Sequence, residues 1–174
     1  MRLARIVAVL LVLLFLPGCA KSQASQDTDT LSYLLDDFSE AIANGIPDDM
    51  KLTIYYRTPY VAFDMPINET DLIIMSSESE DTRIAGKVVI DSTQLSSQFE
   101  QLKSISSALR RTIATQHKNA WIYYYIETDT AGKVLEVTIS GINGNIFVND
   151  MEVMYNSAFL DIVSPYLPEW EKPE

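Results

Sequence analysis

The sequence predicts an α+β domain, an antiparallel sheet that ends in a C-terminal β-meander, with helices packed on one face. Three observations carry this. Residues 120–155 hold four runs of strand-forming residues separated by short Gly-, Asn- and Asp-containing turns. Residues 31–43 and 92–105 repeat apolar side chains at helical spacing. The 174 residues are 47% hydrophobic, enough for one buried core, and no internal repeat is visible.

In chain order, Leu31, Leu34, Leu35, Phe38 and Ile42 form the apolar stripe of a first helix over Leu31 to Ala43. Thr30 caps it, and Asn44-Gly45 before Pro47 stops it. Lys51 to Arg57 alternates Leu52, Ile54 and Tyr56 with Thr53, Tyr55 and Arg57, the pattern of a half-buried strand. Tyr60 to Phe63 reads as a short second strand, Asn68 as the cap of a short helix through Leu72 to Ile74, and Ser76 to Thr82 as an acidic loop. Ile84 to Ile90 is a strand weakened by Gly86. Asp91-Ser92-Thr93 caps a second long helix carrying Leu95, Phe99, Leu102 and Ile105 on one face. Leu109 to Thr115 either continues that stripe or forms a strand turning at Gln116 to Asn119; the strand is favoured. The meander follows as Ala120 to Thr128, Val134 to Ile139, Asn145 to Val148 and Met151 to Tyr155, then a final helix from Ser157 to Val163 before Pro165. The folded domain is therefore expected over residues 30–168, with a frayed tail at 169–174.

The first residues carry a different signal. Arg2 and Arg5 precede an unbroken apolar run from Ile6 to Leu16. A helix of that length reaches about 17 Å, short of the ~30 Å hydrocarbon core, so the run describes a secretory signal and not a membrane span. Its exit, Leu16-Pro17-Gly18-Cys19, resembles the lipobox of bacterial lipoproteins, with Leu16, Gly18 and Cys19 where that pattern wants them and Pro17 a departure from it. The resemblance covers the leader alone. It implies cleavage after Gly18, acylation of Cys19 and attachment to membrane lipid. It also implies an extracytoplasmic location, at the outer membrane if the cell has two, because Ala20 is not the Asp that retains lipoproteins in the inner one. Residues 1–18 are then the signal peptide, and 19–29 the acylated Cys19 with a polar, flexible tether.

Charge and composition exclude several classes. Thirteen Lys and Arg oppose 24 Asp and Glu; losing Arg2 and Arg5 with the leader leaves the mature chain at −13. Such a chain lacks the basic footprint of a nucleic-acid binder, and it is repelled by anionic headgroups. One Cys and one His exclude an internal disulfide, Cys-rich zinc sites and two-histidine metal motifs, so neither a metal nor another cofactor is expected. His117 lies in a polar turn, no Ser stands three residues before a Lys, and there is no GxSxG elbow or phosphate-cradling glycine loop. Gly141-Ile-Asn-Gly144 joins two strands and reads as a turn. A paired-carboxylate hydrolase needs two acids about 5–9.5 Å apart, and Glu127 and Glu136 are its candidates.

The feature that stands out is aromatic. Alternation places Ile122, Tyr124 and Ile126 on one face of the central strand and Trp121, Tyr123, Tyr125 and Glu127 on the other. With the aliphatic face against the helices, the second face presents Tyr55, Arg57, Trp121, Tyr123, Tyr125 and Phe147. Flat rings with polar tips bind well at low entropic cost, so this face is the candidate contact surface for a glycan, a peptide or an envelope protein. The competing reading makes the same rings a second core layer or cross-strand pairs that stabilise the sheet. The expected role is a non-catalytic binding module. A small envelope hydrolase and a structural subunit of an envelope assembly are the alternatives.

Overall fold

A computed structural model describes residues 31–59, 65–105, 109–110, 112, 118–141 and 144–169. The leader, Cys19, the tether, Tyr60 to Phe63, His117 and the last five residues lie outside them. Six antiparallel strands form one sheet: β1 (Lys51–Arg57), β2 (Ala85–Ile90), β3 (Ala120–Thr128), β4 (Gly132–Ser140), β5 (Asn145–Val148) and β6 (Met151–Val153), in the order β2-β1-β3-β4-β5-β6. Strands β3 to β6 are neighbours in sequence and in space, which is the predicted meander. The fold is α+β.

The main core lies on the face carrying Leu52, Ile54, Ile122, Tyr124, Ile126, Val137 and Ile146. Four short helices cover it: α1 (Asp36–Ala41), after a 3-10 turn over Ser32–Leu35; α3 (Ser92–Ser96); α4 (Phe99–Ser104); and α5 (Ala158–Asp161). They contribute Phe38, Leu95, Leu102 and Phe159, all without exposed surface. Tyr124 ties β3 to α5 by donating its hydroxyl to the Phe159 carbonyl at 2.9 Å, and burial holds that phenol well above its ordinary pKa. The long helix expected from residue 92 is two. It breaks at Ser97 and Gln98 between α3 and α4, so that Leu95, Leu102 and Ile105 all reach the core.

The remaining helix, α2 (Glu69–Glu78), packs on the opposite face, through Leu72 against Tyr55, Tyr123 and Ala120. Asn68 caps it in a complete capping box with Asp71, as the sequence predicts. The helix runs through Ser76 to Glu78, where a loop is expected; Ser76 turns inward and donates to the Tyr56 carbonyl at 3.2 Å. Gly86 is required by packing: a Cβ there would stand 2.5 Å from the Tyr56 hydroxyl oxygen. Leu109 is buried, and Arg110 accepts from the Met154 amide at 2.8 Å; this single bridge is what the described part of residues 109–115 shows of the favoured strand.

Candidate functional site

Cross-strand register organises the face beneath α2. One row runs across all six strands as Lys87, Tyr55, Tyr123, Thr138, Phe147 and Glu152. The next holds Val89, Thr53, Tyr125 and Glu136. Tyr55 and Tyr123 stack with centroids 6.1 Å apart, and Tyr125 closes a three-ring cluster at 6.4 and 6.0 Å. Tyr55, Tyr123, Tyr125 and Phe147 thus share the face that alternation assigns them.

The rings are nevertheless not an open platform. Tyr55, Tyr123 and Phe147 keep 6%, 4% and 6% of their surface, and Tyr125 is half-buried. Helix α2 packs on this face through Leu72, so of the two readings the sequence left open, Tyr55, Tyr123 and Phe147 follow the buried second layer and not the open contact surface.

Two bulges redistribute the neighbouring side chains. Ala120 opposes Ser140 while Ile122 opposes Ile139, so Trp121 is the extra residue on β3. Alternation fails there: Ala120 joins Tyr55 and Tyr123, and Trp121 packs against the main core. Trp121 therefore does not belong to the tyrosine face. On β4, Ile126 opposes Leu135 and Glu127 opposes Lys133, which makes Val134 extra. Val134 and Leu135 both enter the core, and Lys133 comes round to the side of Glu136.

Arg57 is also placed differently from expectation. It is 5% exposed, and its guanidinium donates to the Ala120 carbonyl at 2.8 Å and to Asn119 Oδ1 at 2.9 Å. It braces the bulged start of β3 and does not present its charge outward; burial lowers its pKa. Asn119 Oδ1 also accepts from the Ile67 amide, and Ala120 donates to the Ile67 carbonyl, so the chain entering α2 is pinned to β3.

Among the described residues a cavity of about 510 Å³ lies between the first turns of α2 and the sheet. Its floor is Tyr123, Glu136, Thr138 and Phe147, its roof Glu69, Thr70 and Ile73, and its rim includes Lys133, Asp37 and the Asn149-Asp150 turn. Tyr123 donates to Glu136 Oε2 at 2.5 Å, and Lys133 Nζ reaches the Tyr123 hydroxyl at 3.0 Å and the same carboxylate oxygen at 3.1 Å. Lys133 also stands 4.6 Å from the Tyr125 centroid. Burial first, then the hydrogen bond to Glu136 and its charge, hold the Tyr123 phenol far above its ordinary pKa. At the other end Lys118 Nζ bridges Glu69 at 2.8 Å and Asp150 at 2.5 Å, over the Phe147 ring. Burial works to raise the Glu69 carboxyl, but hydrogen bonds from Lys118 and Thr138 outweigh it and the net shift is downward.

For paired-acid chemistry the arrangement is poor. The Lys133 ammonium is bonded to Glu136, one of the two candidate acids, and Lys133 is also the register partner of the other, Glu127. Lys118 and Thr138 hold the Glu69 carboxyl below its ordinary range, away from the raised value a general acid needs. Glu69, Lys118, Thr138 and Asp150 were not legible as a group: they come from four separate stretches, and only the pairing of β4 with β5 and the docking of α2 unite them. Comparison of the chain with protein-family models, curated proteins and solved structures gives no match.

Proposed function

We propose that this protein is a lipid-anchored extracytoplasmic binding module that holds a small polar ligand in the cavity under α2 and does not transform it. The observation that carries the binding reading is a pre-formed cavity of about 510 Å³, within the ~300–1,000 Å³ usual for ligand sites. Its roof is pinned at both ends, by Ile67 to Asn119 and Ala120 and by Ser76 to Tyr56, so the cavity exists without any rearrangement. The anchoring reading is supported by the apolar leader and the position of Cys19 directly after it. Two or more acyl chains hold a protein at a membrane where one binds only marginally.

Two measurements test this. Intact mass of the membrane-extracted full-length chain should show loss of residues 1–18 and a lipid adduct, both abolished by Cys19→Ser. An unmodified, uncleaved chain would overturn the anchoring. Thermal unfolding should shift upward with one member of a panel of soluble envelope glycans and peptides, with no product released, and Thr138→Val should weaken the effect. Turnover of any member would favour the hydrolase instead.

A further inference from the structure

We infer that the cavity takes a donor-rich, amine-bearing sugar unit, a hexosamine with a free ammonium group. This rests on the binding reading above and names the ligand class for the same site. The argument is an inventory of hydrogen-bonding capacity. Most donors lining the cavity already have partners: Tyr123 donates to Glu136, Thr138 to Glu69 at 2.7 Å, Asn149 Nδ2 through one proton to the Leu34 carbonyl at 2.8 Å, and Lys133 to Tyr123 and Glu136. An ammonium has three protons and an amide nitrogen two, so one proton of Lys133, one of Asn149 and the Thr70 hydroxyl remain. Against these stand the carboxylate oxygens of Asp37, Glu69, Glu136 and Asp150. Acceptors outnumber donors, so a ligand entering such a cavity must bring more protons than lone pairs.

Charge points the same way. Four carboxylates line the cavity, Lys133 is there with them, and Lys118 lies behind Glu69 and Asp150, so the walls stay net negative. The positive end of α2 offers no relief for an anion, because Glu69, Asp71 and the Asn68 cap already occupy its first turn. Among the described residues the acids do not gather into a group of three that one metal ion could bridge, so their oxygens suit an extended ligand. The nearly buried Tyr123 and Phe147 form the floor, and beside them the chain's own Lys118 shows an ammonium held between a ring and two carboxylates. Hydroxyls for the carboxylates and an ammonium for the net charge describe an amino sugar.

Calorimetry of the full-length protein in detergent, at mildly acidic pH, tests this with three probes of equal length: a glucosamine tetramer, its N-acetylated counterpart and a galacturonate tetramer. The glucosamine tetramer is expected to bind about tenfold or more tighter than the acetylated one, the equivalent of ~1.4 kcal/mol, and the galacturonate tetramer not at all. Glu136→Gln and Asp150→Asn should each weaken binding about three- to tenfold, with the circular dichroism spectrum and melting temperature confirming the fold; Asp150 is almost fully exposed, so its variant has little reason to misfold. Equal affinity for the two glucosamine probes, preference for galacturonate, or full affinity in both variants would overturn the inference. If no probe binds but another panel member shifts thermal unfolding, the ligand class falls and the binding module stands. If nothing binds, both fall.

Discussion

Tyr123 and Glu136 meet diagonally across neighbouring strands. Tyr123 is in register with Thr138, yet its hydroxyl donates to the carboxylate two residues earlier in β4, at 2.5 Å. Lys133 completes the contact only because the Val134 bulge turns it to the same side. Tyr123→Phe keeps the ring stack and deletes this bond. Since hydrogen bonds to charged groups contribute ~1.5–3 kcal/mol and this one is partly solvated, a loss of about 1–2 kcal/mol is expected in urea unfolding. In Glu136→Gln the same substitution should cost measurably less. Equal costs in both backgrounds would show that the two residues are not coupled.

The β5–β6 turn carries left-handed backbone at two non-glycine residues, Asn149 at φ 46° and Asp150 at φ 68°. Left-handed conformation costs an L-residue about 1–2 kcal/mol, whereas an exposed ion pair returns ~0–1 kcal/mol. Asp150→Gly should therefore leave stability unchanged or raise it by up to ~1 kcal/mol, despite losing Lys118. Asn149→Ala should cost about 2 kcal/mol, because its side chain accepts from the Glu136 amide and donates to Leu34. The reverse order of urea midpoints would contradict this reading.

Gly86→Ala drives a methyl against the Tyr56 ring, whose hydroxyl is held by the Thr82 carbonyl at 3.0 Å. Overpacking of this kind costs about 1–3 kcal/mol. Adding Tyr56→Phe should recover part of the loss, since the ring carbon 2.8 Å from the new methyl remains. Tyr56→Leu should recover more. Additive double mutants would rule out this contact as the cause.

The Glu69–Lys118 contact sets a pH window. The folded Glu69 pKa lies below the ordinary value, so its contribution is present above the unfolded pKa and is lost as pH falls through the folded one. Burial opposes the Lys118 charge, but its bonds to Asp150 and Glu69 raise its pKa. That contribution is complete below the ordinary lysine value and is lost as pH rises through the folded one. The stability difference between wild type and Glu69→Gln should thus be flat near neutrality and shrink in acid below pH ~4.5. Thr138, which faces Glu69, does not titrate, and Asp150, which faces Lys118, is almost fully exposed. A difference that grows on acidification would reverse the assignment.

Much of this protein follows from local pattern. Alternation along Lys51 to Arg57 and along residues 122–126 is a property of one strand, so the sequence by itself determined that Leu52, Ile54, Ile122, Tyr124 and Ile126 share the helix-covered face and that Tyr55, Tyr123 and Tyr125 share the other. The Asn68 and Asp91 caps and the Asn149-Asp150 turn are equally local, since each is built from residues within a few positions of one another. Where Trp121 and Lys133 point depends instead on how the strands pair. A bulge is a mismatch in count between two paired strands, and neither strand carries that mismatch alone. The same holds for the cavity. Helix α2 buries just Leu72 and Ser76, a pattern too sparse to announce which face it covers. Docking it over Tyr123 buried the rings that composition offered as a surface, and the acids around Lys118 and Lys133 came together because pairing brings distant stretches of chain within bonding distance.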